Sequence, residues 1–157
     1  MKKQLLTNKI TPPPKKKERE DLYVRYILFY LKCYKNGFKR LAKVLYWLNR
    51  FVFSCDIPCT VTIGKRLSLP HFGLGVVIHP CAIIGDHVKI YQQVTIGARG
   101  NEWHPIIDNN VLIGAGAKIL GSVHVGNGAK VGANSVVLSD VPANATAVGL
   151  PAKIIQK

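Results

Sequence analysis

Five histidines and four cysteines are the side chains of this chain that titrate or react near neutral pH. Two of the histidines stand in stretches broken by glycine and proline, His71 in PHFGLG and His104 in EWHPI. An imidazole on such a loop acts as a general base when a partner orients it, and is otherwise a solvated side chain beside a turn. Cys55 and Cys59 have the spacing of half a metal site, but no second pair of ligands follows at a zinc-finger distance. No metal is expected. Cys33, Cys55, Cys59 and Cys81 read as free thiols of a reducing cytoplasm, because the charged start MKK leads into no apolar run of leader length. The run GAGAKILG lacks the Gly-Lys-Ser/Thr ending of a phosphate-binding loop, and no dinucleotide fingerprint is present.

The elements that must carry these side chains change character along the chain. With 157 residues and 48% apolar composition the protein can build one continuous core, and wholly disordered or collagen-like chains are excluded. The formal charge is +14, yet it is uneven: residues 1–50 hold 14 Lys/Arg against 3 acids. Residues 1–20, with TPPPKKKERE, read as a flexible basic arm. Residues 21–55 interleave aromatic and aliphatic residues with Lys and Arg. Leu41, Val44, Leu45 and Leu48 keep a helical period, and Asn36-Gly37 is a break. Two amphipathic helices are predicted, over about 21–35 and 38–52, the first capped by Asp21. No run approaches the roughly 18 apolar residues that a membrane-spanning helix needs.

From residue 56 one rule governs the sequence. Aliphatic residues recur at every sixth position: Ile78, Ile84, Ile90 and Ile96, then Ile107, Ile113, Ile119, Val125, Val131 and Val137, with Ile57, Ile63 and Leu69 in an earlier register. Glycine often follows, and a small or β-branched residue such as Ala82, Val94, Ala117 or Ser135 stands four places on. Hexapeptide periodicity marks a β-helix. Three hexads close one triangular coil, the aliphatic residue points inward, and coils stack about 4.8 Å apart. The glycines are expected to supply corner dihedrals. Two interruptions extrude chain from the coils: three extra residues between Leu69 and Ile78, and five between Ile96 and Ile107. Each carries one of the two loop histidines. His79, His87 and His124 fall at corners or outward positions and are expected to be solvated.

The segments HFGLGVVIHPCAIIGDHVKIYQQVTIGARG, LIGAGAKILG and the closing VGLPAKI resemble the hexapeptide acyltransferases, most of all their serine acetyltransferase branch. The likeness spans residues 56–157. It implies a mainly β fold, a left-handed parallel β-helix preceded here by the basic two-helix segment, assembled as a homotrimer and using acetyl-CoA. By position it assigns the catalytic base to His71, the acid that orients it to Asp56, and a second active-site histidine to His104. Asp56 precedes His71 by nearly one coil, so the two can meet across adjacent coils. Pantetheine would lie along Gly97, Ala115 and Ala133 between subunits, with Lys153 at the phosphates. Ser139 stands where the family has a basic residue.

The acceptor pocket departs from the serine pattern. Pro70 replaces an aspartate and Trp103 an arginine, which removes the charges that would hold a zwitterion and leaves a ring face suited to a sugar. The expected activity is therefore acetyl-CoA-dependent O-acetyl transfer to a small polar acceptor. A saccharide hydroxyl is favoured, and L-serine, in cysteine synthesis, is the alternative. A nucleic-acid role is set aside because the charge sits on an arm and two helices that match no nucleic-acid motif. A zinc-dependent relative is set aside because His71, His79 and His104 lack the spacing it needs. The aromatic and basic residues of 21–55 are expected to touch an anionic membrane on its cytoplasmic face.

Overall fold

The computed structural model describes residues 21–100 and 104–155. The arm at residues 1–20 and Trp103 lie outside them. Helix α1 runs from Leu22 to Lys35, with the Tyr23 amide donating to Asp21 Oδ1 at 3.4 Å, the predicted cap. Gly37 takes a left-handed φ of +90° between the helices, and α2 runs from Lys39 to Phe53. α1 buries a broad stripe that includes Val24, Ile27, Tyr30 and Leu31, whereas α2 buries only Ala42 and Asn49. The apolar residues that gave α2 its helical period, Leu41, Val44 and Leu48, face solvent together with Phe51 and Val52.

Beyond α2 the chain winds into a three-faced prism. The first face holds β1 (Thr62–Ile63), β3 (Ile83–Ile84), β6 (Ile106–Ile107) and β9 (His124–Val125). The second holds β4 (Lys89–Ile90), β7 (Leu112–Ile113), β10 (Lys130–Val131), β12 (Thr146–Gly149) and β13 (Ala152–Ile155), the last turning back antiparallel. The third holds β2 (Val77–Ile78), β5 (Thr95–Gly97), β8 (Lys118–Leu120) and β11 (Val136–Val137). Uninterrupted coils pair residues eighteen apart, Leu112 with Lys130 and Lys118 with Val136. Across the two extrusions the same ladders span more chain, Thr62 with Ile83 and Thr95 with Lys118. Every aliphatic residue of the hexads from Leu69 to Val137 is buried, and so are the small residues four places on, Ser135 included.

The glycines do a different job from the one expected. Those that follow the aliphatic residue are not at positive φ. They sit where the next coil passes overhead: a Cβ on Gly114 would lie 2.5 Å from the Ala133 nitrogen, and one on Gly85 would lie 2.8 Å from the Asp108 carbonyl carbon. The left-handed residue of each corner comes two places later, as Gly116, Asn110, Asn134, Gln93 or His87. Close stacking selects the first glycine, and corner geometry selects the later Asn or Gly.

Candidate active site

The two extrusions leave the prism at different corners, and this decides the layout of the site. The first, at the corner between the second and third faces, is a tight turn over Pro70–Gly73 in which His71, Phe72 and Gly73 take φ of 57°, 56° and 61°. Two successive non-glycine residues in the left-handed region cost about 1–2 kcal/mol each, so the surroundings must impose the turn. They do so through an aromatic cluster. The Phe72 ring meets Tyr23 edge-on at 5.7 Å and Phe53 at 5.8 Å, and Tyr23 lies 4.6 Å from Phe53. Gly73 is buried against Cys55, whose sulfur would lie 3.1 Å from a Cβ placed there, and Gly75 donates to the Ser54 carbonyl at 2.9 Å. With its neighbours so fixed, His71 is presented to solvent.

The segment that carries Asp56 runs alongside this turn. Asp56 donates its amide to Val76 O at 2.8 Å and accepts from the Ile78 amide at 2.9 Å. Buried side chains of the helices pin the strip: Tyr30 OH donates to Ile57 O at 2.8 Å, and Asn49, itself holding Tyr23 OH, donates to Cys55 O at 2.7 Å. Burial pushes the phenols of Tyr23 and Tyr30 and the thiol of Cys55 up, so all three stay protonated and serve as donors or packing. The Asp56 carboxylate does not hydrogen-bond to His71. One oxygen accepts from Tyr46 OH and the other from Arg50 Nη1, each at 2.7 Å. Both donors stand on α2, and burial together with this bond to Asp56 raises the Tyr46 phenol. A carboxylate has lone pairs beyond these two bonds, so the pair of segments is brought together while the expected dyad is left unclosed.

His104 lies at the other edge of the third face, where the second extrusion rejoins the first face. It is exposed, and the next residue, Pro105, accepts the Ile83 amide at 3.1 Å. Gly97 and Ser139 share that edge, following β5 and β11. Ala115 and Ala133 follow β7 and β10 and so share the edge of His71, while Lys153 is exposed on β13 at the end of the second face. The residues singled out in the sequence thus fall into two groups separated by the width of one face. Among the other histidines, His124 pairs with Asp108 at 3.0 Å and His79 accepts the Cys81 amide through Nδ1 at 3.2 Å, so neither is merely solvated. Sequence reasoning passed over Tyr46, Arg50 and Gln92, whose Oε1 is buried with no hydrogen-bond partner. Among the described residues no cluster of His, Cys, Asp and Glu has the make-up of a metal centre, and no helix is long and apolar enough to cross a membrane.

A three-faced prism of stacked hexads with extruded corner loops is the architecture of the hexapeptide-repeat transferases. The bacterial transferase hexapeptide (six repeats) family matches residues 104–139. The serine acetyltransferase of Helicobacter pylori is 46% identical over 127 residues, 79% of this chain and 74% of that protein. The serine acetyltransferase of Bacillus pumilus is 45% identical over 125 residues, 78% of this chain. Soybean serine acetyltransferase complexed with serine superposes with a TM-score of 0.78 at 41% identity, over 85% of this chain. The chain belongs to the serine acetyltransferase family, and its coil is the left-handed β-helix of those structures. It spans 57% of the length of the Bacillus pumilus protein and 56% of the soybean chain.

Proposed function

We propose that the chain is an acetyl-CoA-dependent O-acetyltransferase whose acceptor is L-serine, with residues 56–157 as its transferase domain. The relatives named serine acetyltransferase, at 45% identity and above, support serine over the saccharide hydroxyl that Pro70 and Trp103 had favoured. His71 takes the proton of the acceptor hydroxyl as that oxygen attacks the thioester carbonyl. The tetrahedral intermediate then collapses with loss of the C–S bond, and the CoA sulfur takes the proton back from the His71 imidazolium and leaves as the thiol. Asp56, held by Tyr46 and Arg50, lies on the strip beside the turn, where its free lone pairs are available to orient the imidazole. Pantetheine runs along Ala115 and Ala133 on one subunit and Gly97 on the next, with Lys153 at the phosphates.

The observation that carries this reading is the separation of His71 and His104 on opposite edges of the third face. One copy cannot bring the two edges together, whereas a threefold assembly sets one edge of each copy against the other edge of its neighbour. A homotrimer working in the cytoplasm is therefore part of the proposal. Release of thiol from acetyl-CoA, measured with L-serine and with a panel of sugars and nucleotide sugars, tests it. Release that depends on L-serine is expected. Release only with a saccharide establishes the second reading, which rests on Pro70 at the head of the turn. No release with any hydroxyl overturns both.

A finer part of the reading concerns residues 21–55. Around α2 the exposed Leu41, Val44, Leu48, Phe51 and Val52 form one sector and Lys39, Arg40 and Lys43 the adjoining one, with Trp47 at the boundary. Apolar and cationic sectors side by side, with an aromatic ring between, suit the surface of an anionic bilayer. Sedimentation with vesicles rich in phosphatidylglycerol tests this. The full chain is expected to bind, and the variant Val44→Gln/Leu48→Gln/Phe51→Gln to bind at least tenfold less. Equal binding by the two removes the membrane from the proposal.

A further inference from the structure

The corner that carries His71 repeats down the prism. Ser68 pairs with Lys89, Lys89 with Leu112, and Leu112 with Lys130. Three residues on from the last three stand Gln92, Ala115 and Ala133, one above another at the edge between the second and third faces, and three on from Ser68 His71 opens the extruded turn above them. Backbone bonds keep the column in step: Gly116 donates to Gln92 O at 2.9 Å and Asn134 to Ala115 O at 2.8 Å. Above Gln92 the chain departs into the extruded turn at His71 and resumes at Leu74, whose carbonyl accepts the Gln93 amide at 2.8 Å. Gln92 therefore lies beneath Leu74, one coil below the turn that carries the candidate base, and one coil above the first of the two alanines.

Two features mark this residue out. The lower members of the column have only a methyl group, so the coil asks for nothing longer at this position. In addition, Oε1 of Gln92 is buried and accepts no hydrogen bond, an expensive arrangement unless a ligand supplies the donor. An amide oxygen is purely an acceptor. Gln92 stands between the turn that carries the base, which must reach the acceptor hydroxyl, and the line of small residues along which the thioester would come.

We infer that Gln92 is a positioning residue for the acyl acceptor, its Oε1 accepting a hydrogen bond from the donor group of the acceptor held beside His71. For L-serine that donor is the ammonium group. The amide oxygen then supplies part of what the carboxylate missing at Pro70 would have given. The inference rests on the acetyltransferase reading above.

Kinetics of Gln92→Ala and Gln92→Glu in the full-length protein test it. Alanine already occupies the same position in the next two coils, so Gln92→Ala is compatible with the fold. It is expected to raise KM for L-serine about ten- to hundredfold, the scale of a bond to a charged donor, while KM for acetyl-CoA stays within twofold. Gln92→Glu keeps the acceptor and is expected to recover most of the loss. An unchanged KM for L-serine in Gln92→Ala, or equal rises in both KM values, overturns the inference and leaves the acetyltransferase reading standing. A wild-type protein that transfers acetyl to neither L-serine nor a sugar overturns that reading, and this inference with it.

Discussion

The two extruded corners of the third face are built in opposite ways. At the first, three residues in the left-handed region are clamped by Phe72 against Tyr23 and Phe53 and by Gly73 against Cys55, so the backbone that follows His71 is held by the helices and the segment after them. At the second, among the described residues, His104 is exposed and the Ile83 amide bonds to Pro105 O where the chain re-enters the prism. The contrast separates two demands of acyl transfer. A base must be held in one orientation before substrate arrives, and strain at its backbone is tolerable when packing enforces it. On the proposed reading His104 is supplied by another copy of the chain, and such a group needs a place at an edge rather than a clamp.

The largest effect expected on this contrast is at the clamped corner. His71→Ala should lower acetyl transfer by about a hundredfold or more, the usual scale for losing a general base. Steady-state thiol release measures it, and Asp56→Asn should cost less because it misorients the base without deleting it. Activity of His71→Ala near wild type would remove the histidine from the chemistry.

The next effect sharpens the role of the glycines in the body of the prism. Gly114→Ala places a methyl 2.5 Å from the Ala133 nitrogen and should destabilise the fold by about 1–3 kcal/mol, as overpacking does. Gly37→Ala meets nothing within 4 Å and has only its φ of +90° to relieve, so about 1 kcal/mol is expected. Denaturant unfolding compares the two. Equal losses would mean that corner dihedrals, and not the stacking of coils, selected those glycines.

The smallest effect concerns the link from α2 to the strip that carries Asp56. Arg50 and Asp56 are 48% and 22% exposed, so Arg50→Ala should leave stability almost unchanged. Its effect should instead fall on kcat, by a few-fold, because the Asp56 carboxylate loses a fixed partner. A loss of stability with kcat unchanged would make the contact purely structural.

The prism was legible in the sequence because one residue in six must be aliphatic to fill it, and the insertions at 70–75 and 98–105 show as breaks in that count. The column of Gln92, Ala115 and Ala133 was legible by the same arithmetic, each standing two places after Ile90, Ile113 and Val131, though Gln92 went unread. The function of the glycines was not, since a sequence does not show how closely the next coil passes. Nor was the outward turn of Leu41, Val44 and Leu48: a helical period fixes which residues share a face but not what that face meets. Tyr46 and Arg50 were not read as partners of Asp56 because those bonds join a helix to the segment that leads into the prism, a pairing no local pattern records.

Mixing two inactive proteins tests most directly the claim that the site is completed across copies. His71→Ala and His104→Ala, each expected to be strongly impaired alone, are co-refolded in equal amounts and assayed for thiol release from acetyl-CoA. If each site takes His71 from one copy and His104 from its neighbour, random mixing restores about a quarter of the sites and about a quarter of wild-type activity. No recovery in mixed assemblies would place both histidines of each site on a single chain and contradict the account.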